Sequence, residues 1–148
     1  SKDENKRIAM LWSSDSTAAG MTKGPSDADK DINSAFDAVD KQLKDENSIL
    51  NYYKRALRLR NENPEIARGE ITLIDSLCQG YQAAITKSYN GSTIGIVYNT
   101  SDEVITVDIS GTEISDMKIR GYLTLNNEEI TLKDGMLTMP AQSICILK

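Results

Sequence analysis

The segment AAITKSYNGSTIGIVYNTS, residues 83–101, limits the fold more than any other stretch of the chain. Apolar residues alternate on both sides of Asn90-Gly91, and that dipeptide is the preferred pair for a two-residue type I′ turn, because both positions need φ > 0. The turn sets a register: Ile85 opposite Ile96 and Lys87 opposite Ile94, with Ile85, Ile94, Ile96 and Tyr98 sharing one face. The same period of two continues on either side. EITLIDSL places Ile71, Leu73 and Leu77 together; EVITVDI points Ile105, Val107 and Ile109 one way and Thr106 and Asp108 the other. MKIRGYLTL groups Met117, Ile119, Leu123 and Leu125, and EEITL, a turn at Asp134-Gly135, MLTM and SICILK complete the set. Short strands at this spacing, with turn signals every 8 to 12 residues, predict an antiparallel sandwich or barrel and not βαβ units.

Before residue 65 the period changes. NSILNYYKRALRLRNENP, residues 47–64, carries Ile49, Tyr52, Tyr53, Ala56, Leu57 and Leu59 as a broad apolar stripe at helical spacing. Asp45 is the expected N-cap and Glu46 the acid that suits the first turn, while Pro64 ends the helix at or before Asn63. The expected helix is 46–63. Residues 1–44 are polar and mixed; SSDSTAAGMTKGPSDADKD has neither period and reads as a long loop, with one helical turn at Phe36, Val39 and Leu43.

Composition removes several classes of function. The net charge of −5 disfavours nucleic acid, whose phosphates need clustered Lys and Arg. No apolar run approaches the ~20 residues of a membrane span, so no membrane partner is expected. There is no histidine, which excludes a Ser-His-Asp triad, a Cys-His pair and an H-E-x-x-H zinc site. Cys78 and Cys145 lack a C-x-x-C spacing, and no D-x-D-x-D-G calcium loop occurs, so neither metal nor cofactor is expected. The two cysteines are either one disulfide or two buried thiols. The first residue is Ser1 and not Met, which suggests a longer parent.

Several pieces resemble a known family. The helix with its lead-in DKQLKDE looks like the last helix of the catalytic barrel in α-amylase-type glycoside hydrolases, close to α-amylases and oligo-1,6-glucosidases. VYNTSDEVITVDI and LTMPAQSICILK resemble strands of their C-terminal β-sandwich. RIAMLW is similar to the Arg-x-Pro-Met-x-Trp run after the eighth barrel strand: Arg7, Met10 and Trp12 match and Ala9 replaces the proline. The resemblance implies a mainly β fold, an antiparallel Greek-key β-sandwich of seven or eight strands, preceded by one long amphipathic helix and an irregular N-terminal arm. Residues 1–64 would be the end of a (β/α)8 catalytic barrel (loop 1–44, helix 46–63) and residues 65–148 the sandwich.

The resemblance also implies a function: starch or maltooligosaccharide breakdown by a parent enzyme, with the sandwich stabilising the barrel and this segment alone inactive. The family's retaining chemistry needs two carboxylates about 5–5.5 Å apart. Those acids would lie on earlier strands, so no catalytic residue is expected here. Arg7 and Trp12 are the candidate substrate contacts, since loops after barrel strands carry the active site; Trp12 alternatively anchors its loop. The implied partners are the upstream barrel and the parent's α-glucan, and α-glucan polymers favour an extracellular parent over a cytoplasmic one. Without the barrel, the stripe of Ile49, Tyr53, Ala56 and Leu57 should seek the sandwich or a second copy as cover, the latter giving a homodimer through the helix face. The alternative function is a free-standing starch- or glycogen-binding module that uses Tyr89 and Tyr122, with Tyr81 and Tyr98 as further candidates.

Overall fold

The structure is a computed structural model that describes residues 3–15, 25–29 and 37–148. The chain divides into two compact units, Ser1–Tyr53 and Lys54–Lys148, with the divide falling inside one helix. The described part of the first unit holds a 3₁₀ turn, Asp3–Arg7, and a short helix α1, Val39–Gln42. α1 falls in the stretch expected to turn, whereas Phe36 lies outside the described residues.

The long helix α2 runs Ile49–Glu62 and so begins three residues later than expected. Ser48, not Asp45, is its cap: Ser48 Oγ accepts the Asn51 N–H at 3.2 Å. Asp45 instead closes a local turn by accepting the Asn47 N–H at 2.9 Å. At the other end Asn63 stops the helix, and Pro64 opens α3, Pro64–Arg68. Proline suits that first position because its missing N–H is an orphan there anyway.

The second unit carries eight strands: β1 Glu70–Leu73, β2 Gln82–Tyr89, β3 Ser92–Asn99, β4 Ile105–Asp108, β5 Ile119–Leu123, β6 Thr131–Lys133, β7 Met136–Met139 and β8 Ser143–Leu147. They form a five-stranded sheet in the order β1-β2-β3-β8-β5 and a three-stranded sheet in the order β4-β7-β6. All pairings are antiparallel. The β2–β3 hairpin turns at Asn90 (φ 51°) and Gly91 (φ 76°) and pairs Ile85 with Ile96 and Lys87 with Ile94, the register read from the sequence. Asp134 (φ 50°) and Gly135 (φ 77°) make the corresponding turn between β6 and β7.

One apolar core joins the two sheets. Ala84, Val97, Cys145 and Leu147 of the larger sheet meet Val107, Leu137 and Met139 of the smaller, with Ile109, Ile114 and Ile130 from the connections. The opposite face of the larger sheet is also apolar. Ile94, Ile96 and Ile146 are buried there under Leu59 of α2 and Ile66 of α3. The helical stripe is therefore split. Leu59 covers the sheet, whereas Ile49, Tyr53 and Leu57, expected to find cover on the sandwich or a second copy, are each more than half exposed.

Two further expectations fail for local reasons. Ile71 and Leu73 are exposed, because β1 is an edge strand, whereas Leu77 is buried by the 3₁₀ turn Asp75–Leu77. Met117, Ile119, Leu123 and Leu125 do not share a face. A bulge between Ile119 and Gly121 breaks the alternation, so Met117 and Ile119 pack on the inter-sheet core, Leu123 pairs with Ile144 on the helix side and Leu125 is exposed. Buried Asn99 ties the β3 exit to the β7–β8 connection, donating to the carbonyls of Glu103 at 2.8 Å and Pro140 at 2.7 Å.

Gly95 packs closely against the inner face. A Cβ there would lie 2.6 Å from Ile114 Cγ2 and 3.2 Å from its Cβ, and Ile114 is fully buried. Gly95→Ala is expected to cost about 1–3 kcal/mol in urea unfolding with the slope unchanged, the signature of overpacking.

Candidate functional site

Within the first unit the candidate residues sit on separate anchors. Arg7 ends the 3₁₀ turn, and its guanidinium pairs with the Asp3 carboxylate one turn back. Both side chains are exposed, so the pair contributes little stability and leaves the guanidinium accessible. Asn5 reaches elsewhere, donating to Asp29 Oδ2 at 2.8 Å and accepting the Asp29 N–H at 2.9 Å.

Trp12 belongs to a strap. The Leu11 carbonyl accepts the Val39 N–H at 2.9 Å and the Trp12 carbonyl accepts the Asp40 N–H at 3.1 Å, so the strap occupies the otherwise unpaired amides that open α1. The Asp40 side chain closes it. Its carboxylate accepts the Ser14 N–H at 3.0 and 3.1 Å, the Ser14 hydroxyl at 2.8 Å and the Ser13 hydroxyl at 3.2 Å. Donation from the Ser14 backbone and then the Ser14 hydroxyl holds this carboxyl below the usual range. Trp12 is 56% exposed. A flat apolar ring on a fixed backbone suits the C–H face of a sugar, and a guanidinium suits hydroxyl groups.

The second unit holds one buried ionic group. Glu65 is 1% exposed; its Oε1 accepts the Lys148 ammonium at 2.8 Å and the Ser92 hydroxyl at 2.6 Å. Hydrogen bonds from Lys148 and then Ser92 outweigh burial and pull its carboxyl down to about 2. Lys148 is placed for this by its backbone, which exchanges N–H···O bonds with Lys118 at 2.9 and 3.0 Å. Lys87 Nζ adds a bond to the Ile66 carbonyl at 2.6 Å. α3 is thereby pinned to the larger sheet through two successive residues, Glu65 and Ile66. Beside it, Ala56, Leu59, Ile66, Tyr98, Leu123 and Ile144 line an apolar cavity of about 140 Å³.

The tyrosines do not assemble into a platform. Tyr89 on β2 has the Arg68 guanidinium 5.8 Å from its ring centre, Tyr122 lies on β5 beyond β3 and β8, Tyr81 is exposed and Tyr98 lines the cavity. Cys78 and Cys145 are free thiols, and burial pushes Cys145 up to about 12, which makes it inert at neutral pH. Among the described residues no three Cys, Asp or Glu side chains converge as a metal site would require, and no helix is long and apolar enough to cross a membrane.

Two antiparallel sheets around one core, with a helix pair on the outer face of the larger sheet, define a mainly β class of unit. Comparison with known proteins names the family. Residues 1–69 match the α-amylase catalytic domain. Amy13B of Eubacterium rectale is 35% identical and superposes with a TM-score of 0.91 over 99% of this chain, which is 28% of its own length. The α-amylase of H. orenii, at 21% identity, has the same fold, with a TM-score of 0.68 over 93% of this chain and 27% of its own. A probable α-glucosidase of Rhizobium meliloti (strain 1021) is 28% identical over 87 residues, 59% of this chain and 15% of that protein. The chain is a segment of an α-amylase-type protein, and it spans less than a third of the length of each of these relatives.

Sequence reasoning picked out Trp12 but missed Asp40, which holds its loop from 28 positions away, the difference of the two residue numbers. It likewise missed Glu65, whose cation is 83 positions on. Neither partner is signalled by local spacing. Because the Glu65 carboxyl is depressed on folding, its contribution to stability is complete above about 4.5 and is lost as the pH falls toward about 2. Glu65→Gln is expected to lower stability at pH 7 by about 1–3 kcal/mol. The deficit should shrink on acidification through that window, as read by urea unfolding at each pH.

Proposed function

We propose that this chain is the closing segment of an α-glucan hydrolase: residues 1–64 complete its catalytic barrel with a substrate-facing loop and a final helix, and residues 65–148 form a sandwich that stabilises the barrel. The reading rests on one observation. The catalytic-domain match runs through α2 and α3 to residue 69, and both helices reach the larger sheet through Leu59 and Ile66. A helix that belongs to the barrel pattern is thus part of the sandwich's packing. The relatives, an α-amylase and a probable α-glucosidase, support α-glucosidic bonds as the target.

In this reading the barrel covers Ile49, Tyr53 and Leu57, which recur every four residues on α2 and are exposed here. The same stripe would be the contact of a homodimer in the barrel's absence. The catalytic acids belong to the barrel strands and not to this chain, and Arg7 and Trp12 contact substrate. A free-standing glucan-binding module draws less support, because the Arg68 guanidinium lies over the Tyr89 ring and two strands, β3 and β8, stand between the strand of Tyr89 and that of Tyr122.

Reducing-sugar assays on starch and maltooligosaccharides test this directly. The 148-residue chain should release nothing above the blank, while the product of the same reading frame extended upstream should be active. Turnover by the short chain, or an inactive extended product that lacks barrel strands, would contradict it.

A further inference from the structure

We propose that Asp40 is the positioning residue for Trp12, and that the strap it closes presents the indole as a stacking surface for one glucosyl ring of an α-glucan. The inference rests on the reading of Trp12 as a substrate contact and adds the group that makes that contact effective.

Three features of the strap carry it. First, Trp12 is tied down through its backbone: its carbonyl accepts the Asp40 N–H, while the residue as a whole is 56% exposed. A tryptophan serving only to anchor its loop would bury the ring, since the ring carries most of its apolar area. Second, the Asp40 carboxylate takes the Ser14 amide on both oxygens and two serine hydroxyls besides, so the two residues that follow Trp12 are fixed from one side chain. A carboxylate is acceptor-only, with four lone-pair sites, and so can hold all of these donors at once. Third, Asp40 is itself held in α1, whose first amides are occupied by the strap, so the contact is reciprocal.

The consequence is energetic. A flexible loop must be ordered when a sugar stacks on it, and that cost comes out of the affinity; a loop already fixed avoids it. Asp40 therefore acts through Trp12 and does not touch the sugar.

Trp12 is the one tryptophan of the chain, so its fluorescence reports on this site alone. The experiment measures anisotropy, acrylamide quenching and maltohexaose titration on the 148-residue chain and on Asp40→Ala and Asp40→Asn. Asp37→Asn serves as the control, because Asp37 pairs only weakly with Lys41, at 3.7 Å, and both are exposed. Asp40→Ala should lower the anisotropy and raise quenching with far-UV circular dichroism unchanged. Its maltohexaose affinity should be weaker by about tenfold, the scale expected when a contact is no longer preorganised. Asp40→Asn, which keeps one acceptor oxygen, should fall between, and Asp37→Asn should match the parent.

Equal anisotropy in the parent and both Asp40 variants would overturn the positioning role, whatever the sugar result. A lowered anisotropy with no response of the parent to maltohexaose would overturn the stacking role and with it the reading of Trp12 as a substrate contact, while leaving the strap itself supported.

Discussion

The pairing of β3 with β8 is the interaction on which the second unit depends. These strands lie inside the five-stranded sheet and exchange register from Gly95–Leu147 to Asn99–Ser143. Each is buried on both faces. Val97, Cys145 and Leu147 fill the space between the sheets, whereas Ile94, Ile96 and Ile146 face the helices. A strand buried on both sides cannot alternate polar with apolar residues, and IGIV and ICIL are the continuous apolar runs that result. Burying one such aliphatic side chain contributes about 1.5–3 kcal/mol, so this pair of strands accounts for much of the stabilisation of both cores.

That double burial also explains how the helices are held. Leu59 and Ile66 need an apolar surface, and the outward isoleucines supply it. Apolar contact alone would let α3 slide. The Glu65 carboxylate, bonded to Lys148 and Ser92, and the Lys87 bond to the Ile66 carbonyl supply direction. Gly69 then lets the chain turn into β1: a Cβ there would come within 2.6 Å of the Glu65 carbonyl. The junction between helix and sheet is therefore rigid, as the proposed role of bracing a catalytic barrel requires.

The parts legible in the sequence were those written in adjacent residues. Asn90-Gly91 encodes its own turn, and the turn encodes the register of sixteen residues from Gln82 to Asn99 apart from the two in the loop. Pro64 marks a helix boundary in the same local way. What the sequence hid depends on partners far along the chain or on a single irregular residue. The bulge before Gly121 is marked in the sequence only by that mid-strand glycine, which does not say how far the register shifts, and it moved Leu123 to the opposite face. Asp45 and Ser48 are both good caps, and only the course of the chain from Gln42, whose carbonyl accepts the Ser48 hydroxyl at 2.7 Å, decides between them. At the candidate site Trp12 was visible by resemblance, but Asp40 was not, because a carboxylate that holds a distant loop looks like any surface acid.

Native-state hydrogen exchange, read amide by amide, tests the central claim about β3 and β8 most directly. The account predicts that the amides of Ile96, Val97, Cys145 and Ile146 exchange only through global unfolding, with one common free energy, while those of the edge strands β1 and β6 open at lower cost. Exchange of β8 at lower cost than β1, or different opening free energies for β3 and β8, would contradict it.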